Sequence, residues 1–201
     1  MRTKHAPAVR MSLAEYFELP TDEERAELIF GECVGSPRPS EEHNDFVHDL
    51  GELLKRWTRH HGLGKVAIET DMVLDEPNDL AYAPDLLFVA TANNARRRKG
   101  RIYGPADLCV EVLSPSERPW LRHRKFADYE QYGVGWYWII DTEEPRLEEY
   151  QLRGDSYVPR SEVFGADWFS PGLFAGLHLR LPPLLLGDLK AAVKGKAKRL
   201  M

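Results

Sequence analysis

Two acids set in apolar strands and a lysine that follows them are the residues best placed to do chemistry. Asp85 opens the run Asp85-Leu-Leu-Phe-Val-Ala90, Glu111 interrupts Leu108-Cys-Val-Glu-Val-Leu113, and Lys125 comes twelve residues after Leu113. Ionised carboxylates are rarely buried alone, and isolating one in such a strand costs on the order of several kcal/mol unless a cation or a hydrogen-bond set compensates it. A divalent cation satisfies both acids at once. Mg2+ is commonly held by one or two protein carboxylates, with waters and phosphate oxygens completing its shell. Such a cation polarises a phosphate and acidifies water, and a nearby ammonium could orient or deprotonate that water and offset charge developing at phosphorus. Tyr129 stands four residues beyond Lys125, on the same helix face. Each part has a plainer alternative: Asp85 after Pro84 caps a turn, Glu111 pairs with an arginine, Lys125 is surface charge.

Pro84-Asp85, then Glu111-Val112 at a strand's end, then a helix, resembles the PD-(D/E)XK nuclease superfamily. A longer string, Glu111-Val-Leu-Ser-Pro-Ser116, Lys125-Phe126, Tyr129, Gly133-Val134 and Tyr137-Trp-Ile-Ile-Asp141, is similar to a large bacterial family of restriction-endonuclease-like proteins. Glu27-Leu-Ile, Gly31-Glu32, Pro39-Ser40 and His43 fit the opening segment of that family, so the resemblance spans residues 12–186. It implies an α/β restriction-endonuclease-like core: a mixed central β-sheet flanked by helices, with an N-terminal β-hairpin and a long helix. It also implies that Asp85, Glu111 and the Val112 carbonyl hold Mg2+, with Mn2+ a possible substitute, and that Lys125 orients the attacking water. The chain departs from the superfamily pattern at Leu113, where the signature lysine is expected; in the resembling family that lysine has moved to the helix and maps onto Lys125. Two further departures are Leu121, where a carboxylate is common, and Ala26, where tyrosine is usual.

The same resemblance places His43 and Glu32 facing the site, where either could touch metal, water or phosphate. For His43 the alternative is a cap hydrogen bond at a helix start. Glu69 and Asp71 read as a solvated strand face, the alternative being added acidity in the same cleft, and Trp136 and Trp138 read as core, the alternative being one exposed indole that stacks a base. A basic run, Arg96, Arg97, Arg98, Lys99 and Arg101, could hold backbone phosphates, giving affinity without sequence choice. Solvated loop charge is the alternative. A second run holds Arg118, Arg122, Arg124 and Lys125, and residues 190–201 form a basic C-terminal tail with Lys190, Lys194, Lys196, Lys198 and Arg199.

These residues need positioning elements. Residues 1–11 read as a flexible lead, and Ser12 caps a short helix to Leu19, stopped by Pro20. Residues 25–36 read as a small hairpin covering a helix. From Ser40, apolar residues Phe46, Leu50, Leu53, Leu54 and Trp57 recur at helical spacing until Gly62 and Gly64. Residues 65–74 alternate as one half-buried strand, 86–90 and 107–113 are central strands, and a helix runs from Ser116 to Tyr132, ended by Gly133. Residues 136–141 form a third apolar strand, and 147–152 pair with 156–160 around Gly154-Asp155. A short helix is expected near Leu184. The domain is 12–189.

The chain has 201 residues, 43% hydrophobic, 29% charged and 10% aromatic, which suits one folded domain. Its net charge of −5 argues against a general nucleic-acid coat. Cys33 and Cys109 form no CxxC pair and read as free thiols of a reducing compartment. No apolar stretch approaches the roughly 20 residues that cross a bilayer, so the expectation is a soluble cytoplasmic protein with no membrane partner. Its expected partner is nucleic acid, DNA ahead of RNA. A homodimer would suit cutting of both strands. The rival reading is a non-catalytic nucleic-acid-binding or interaction module on a nuclease fold.

Overall fold

The computed structural model describes residues 10–19, 26–35, 38–114 and 118–201. Two six-stranded sheets carry the chain. Its order is α1 (Leu13–Tyr16), β1 (Ala26–Ile29), β2 (Glu32–Gly35), α2 (Glu41–His60), β3 (Gly64–Ile68), β4 (Met72–Asp75), β5 (Leu80–Tyr82) and β6 (Leu86–Ala90), then a 3-10 segment, Thr91–Arg96. There follow β7 (Arg97–Arg98), β8 (Arg101–Tyr103), β9 (Leu108–Val112), α3 (Pro119–Tyr132), β10 (Trp136–Asp141), β11 (Arg146–Arg153), β12 (Ser156–Phe164), α4 (Leu181–Leu185), α5 (Leu189–Ala192) and a 3-10 turn, Gly195–Arg199.

The larger sheet has the order β12-β11-β10-β9-β6-β3, with β9 and β10 parallel and its other pairs antiparallel. It is the expected mixed central sheet. Along β9 the side chains alternate: Val110 and Val112 join the core under α2, while Cys109 joins the core on the opposite face. Glu111 shares that second face, which turns it toward α3 and β1. The amphipathic α2 lays Phe46, Leu50, Leu53, Leu54 and Trp57 against the first face, and its N-cap Ser40 accepts from the His43 backbone N–H.

The second sheet, β2-β1-β5-β4-β8-β7, is an element the sequence did not foretell. It arises because residues 65–74 are two strands, not one. Glu69 adopts a left-handed φ of 43°, its N–H turns to the Asp85 carbonyl, and the chain leaves the large sheet after Ile68 to enter the small one at Met72. The alternation of side chains continues in phase through the break, so periodicity could not reveal it. The hairpin β1–β2 joins this small sheet by pairing with β5.

Other ends shift modestly. Ser12 caps α1 in a full capping box with Glu15, but the helix stops at Tyr16, and Pro20 lies outside the described residues. The helix expected from Ser116 is seen from Pro119, with Ser116 itself outside them. The basic segment 190–201 packs onto the body: Ala192, Val193 and Ala197 are buried, and Arg56 donates to the Leu200 carbonyl at 3.0 Å. Among the described residues no helix is long and apolar enough to cross a membrane.

Candidate active site

Four elements converge on one buried polar cluster. Asp85 immediately precedes β6, Glu111 lies near the end of β9, which runs antiparallel to β6, Lys125 is on α3 and Glu27 on β1. Lys125 Nζ donates to Glu111 Oε2 at 2.8 Å and to Glu27 Oε1 at 2.7 Å. Tyr129 O–H donates to the other Glu111 oxygen at 2.8 Å. Asp85 accepts from the Val112 backbone N–H at 2.7 Å through Oδ2, and its Oδ1 lies 3.3 Å from His43 Nε2. All of these side chains are buried, at 8% exposure or less for Asp85, Glu111, Lys125, Glu27 and His43.

The sequence positions α3 to deliver Lys125. Gly133 ends it with a left-handed φ of 87°, a conformation that favours glycine. Its inner face carries Leu121, Lys125, Asp128 and Tyr129, all buried. Asp128 locks the rotation of the helix: Tyr82 of β5 donates to its Oδ2 at 2.5 Å and Arg124 at 2.7 Å. Lys125 is thereby held inward, although the long, flexible stem of a lysine would otherwise seek water.

Electrostatics follow from burial and proximity. Burial pushes the Glu111 carboxyl up to about 7, with Asp85 and Glu27 adding to the rise and Lys125 opposing it. For Lys125, burial disfavours the charge, but Glu111 and Glu27 together outweigh it and hold the ammonium well above its ordinary range. Burial also drives the Tyr129 hydroxyl well upward, with Glu111 adding to it, so it remains a donor.

The chemistry of these donors could accommodate a hard divalent cation. Glu27 Oε2 is buried without a hydrogen-bond partner, and Asp85 and Glu27 repel the ionised Glu111. A cation would relieve that repulsion. Among the described residues no three His, Cys, Asp or Glu side chains group as a complete metal cage. A cation held by Asp85 and Glu111 would need waters or phosphate oxygens to complete its shell.

The remaining sequence candidates separate. His43 reaches the cluster through Asp85 while its backbone also makes the cap bond, so both roles considered for it are met by different atoms. Glu32 is exposed on β2, in a surface groove shared with Trp120, His123 and Arg124. Of the basic run, Arg96 donates to the Pro105 carbonyl at 2.5 Å, Arg98 stacks over Tyr103 and Arg101 pairs with Asp71 while lying over Phe17. Lys99 sits at the tip of the β7–β8 turn with a φ of 50°. Trp138 is fully buried, and Trp136 packs against the core.

Glu27 is the residue that sequence reasoning passed over as a site member. Its signal was the same as that of Glu111, a single carboxylate inside an apolar strand, Ala26-Glu-Leu-Ile29. The covering role expected of that hairpin does not account for a buried acid.

Residues 13–182 match the model of the Uma2 family, whose description is "Putative restriction endonuclease". A crystal structure of a protein from Anabaena variabilis, described as a putative nuclease belonging to DUF820, is similar in fold, with a TM-score of 0.71. The likeness covers 89% of this chain and 99% of that one at 18% identity. No curated protein matches the chain.

Proposed function

The chain belongs to the Uma2 family, and from that premise we propose that it is a Mg2+-dependent endonuclease that hydrolyses nucleic-acid phosphodiester bonds, with DNA as the first substrate to test. Asp85 and Glu111, with the Val112 carbonyl, are the proposed ligands, and Mn2+ is the expected substitute. When bound, the cation supplies Lewis acidity toward a phosphate oxygen and acidifies water.

The chain's own groups have distinct tasks. Lys125 stays protonated beside Glu111 and Glu27. It therefore orients the attacking water and offsets charge at phosphorus, and does not take a proton. Glu27 fixes the position of Nζ. Tyr129 holds one Glu111 oxygen and Lys125 the other. His43 and the Val112 N–H orient Asp85.

The observation that carries this reading is the 2.8 Å bond from Lys125 on α3 to Glu111 on β9, inside a cluster that also holds Asp85. A binding-module reading has one observation in its favour: Lys125 already compensates Glu111 and Glu27 by itself. Cleavage of plasmid and of short DNA and RNA by chelator-stripped protein, with Mg2+ or Mn2+ restored, separates the two. Cutting that needs metal and vanishes in folded Asp85→Ala and Glu111→Ala supports the enzyme. Inertness of the wild type on every substrate, with no metal bound, supports the binding module.

A further inference from the structure

A second polar feature lies at the far end of the large sheet. A cavity of about 530 Å3 opens where the C-terminal end of α2 meets β3 and the 3-10 segment after β6. Lys55, Arg59, Lys65 and Arg97 line it, together with Thr91 and Asn94, and none of its lining residues is acidic. In a chain of net charge −5, four cations around one cavity without a carboxylate is a marked local excess. None of the four is salt-bridged among the described residues, in contrast to Arg56, Arg101, Arg124 and Arg146, each of which has an acid partner.

Arg97 supplies the independent observation. One of its terminal nitrogens is buried with no hydrogen-bond partner. A guanidinium held in the wall with an unmet donor costs free energy, and an oxyanion that draws the fork outward would supply the missing acceptor. Asn94 adds a neutral side-chain donor on the same rim, whereas the Thr91 hydroxyl donates to the Gly62 carbonyl at 3.1 Å. The cavity is separate from the carboxylate cluster: Ala90 pairs with Gly64 at its edge, while Asp85 precedes the opposite end of the same five-residue β6. Five residues of strand span about 17 Å.

We infer that this cavity is a phosphate-binding site, taking a phosphate oxyanion on Lys55, Arg59, Lys65 and Arg97, remote from the carboxylate cluster. It shares Arg97 with the basic run considered for backbone binding, but it draws its other cations from α2 and β3 and does not depend on hydrolysis. Two sources present this chemistry: a phosphodiester flanking the cleaved bond, and a free phosphate-bearing compound.

The test is titration of the full chain with inorganic pyrophosphate and, separately, with a short DNA duplex, chelator present, following the amide signals of Thr91 and Asn94. Saturable shifts are expected, with affinity for pyrophosphate falling at least about tenfold in Arg59→Gln and in Lys65→Gln. Lys196→Gln and Lys198→Gln remove equal charge elsewhere and should bind as wild type. Asp85→Ala, which removes the proposed hydrolysis, should also bind pyrophosphate normally, so failure of the nuclease reading and failure of this site are distinguishable. If duplex displaces pyrophosphate, and the salt slope of duplex binding drops by about 1 per cation removed, the source is nucleic acid. If duplex leaves pyrophosphate in place, the source is a free compound. Absence of any shift with both probes, or equal binding by Arg59→Gln and Lys65→Gln, overturns the inference.

Discussion

Lys125 donates to Glu27 across 2.7 Å with both side chains almost wholly buried, which ties the small sheet to the helix that faces the large one. Glu27 belongs to β1 and Lys125 to α3, so this pair and the Lys125–Glu111 bond clamp three elements around one ammonium.

Removing the ammonium should therefore be costly. Breaking a buried ion pair by deleting one partner typically costs about 3–5 kcal/mol, because the abandoned charge remains buried. Lys125→Met should lose stability of that order in urea denaturation at neutral pH and recover part of it in mild acid, where Glu111 takes up a proton. Adding Glu27→Gln to Lys125→Met should restore part of the loss. A Lys125→Met protein as stable as wild type would contradict the clamp.

The raised Glu111 acid gives a pH dependence with a definite sign. Its folded value is about 7, above the ordinary 4.5, because burial penalises the charged form. The folded state thus holds its proton over a window in which the unfolded chain has released it. This group's contribution to stability is complete below about 4.5 and is lost as pH rises through about 7. In metal-free protein, Glu111→Gln should flatten the stability profile across that window. Metal binding requires the ionised form, so Mn2+ affinity followed by electron paramagnetic resonance should rise by up to roughly tenfold per pH unit toward about 7 and then level off. A flat affinity across the window would contradict metal coordination by Glu111.

Among the described residues His43 meets the cluster through Asp85, at 3.3 Å, and its Nδ1 is buried without a partner. In the proposed site it is a positioning residue. Partners of metal ligands typically contribute about 10–100-fold in affinity. His43→Ala should weaken Mn2+ binding within that range while leaving the far-ultraviolet circular dichroism of the long α2 intact. Unchanged Mn2+ affinity would show that His43 does not orient Asp85.

That Asp85 and Glu111 meet inside the protein was legible because a lone charge in an apolar strand demands compensation, whereas the approach of Lys125 to Glu111 was implied by the family resemblance and not by spacing. The long helix was equally plain from its apolar stripe. Glu27 was missed because β1 is four residues long, too short for a burial pattern to show which face it presents. The second sheet was missed for a different reason. Its formation depends on one left-handed residue, Glu69, where alternation stays in phase across the kink. The cavity around Arg97 joins two stretches of sequence, residues 55–66 and 91–97, and no local pattern marks such a convergence.

Trp136 offers the last test, of core packing against base stacking. Its indole lies against Gly172, where an added Cβ would come within 2.3 Å of the ring carbon Cη2. The Gly172 N–H meanwhile donates to Glu149 at 3.0 Å, and the same carboxylate accepts from Trp138 Nε1 at 3.1 Å. The glycine is thus pinned by its hydrogen bond and cannot retreat from the ring. Gly172→Ala should displace Trp136, change the near-ultraviolet circular dichroism and cost about 1–3 kcal/mol, the usual range for overpacking. Binding of single-stranded DNA should be unaffected, since the ring is occupied by packing. If Gly172→Ala leaves stability unchanged but weakens DNA binding, Trp136 is a stacking platform and its assignment to the core is wrong.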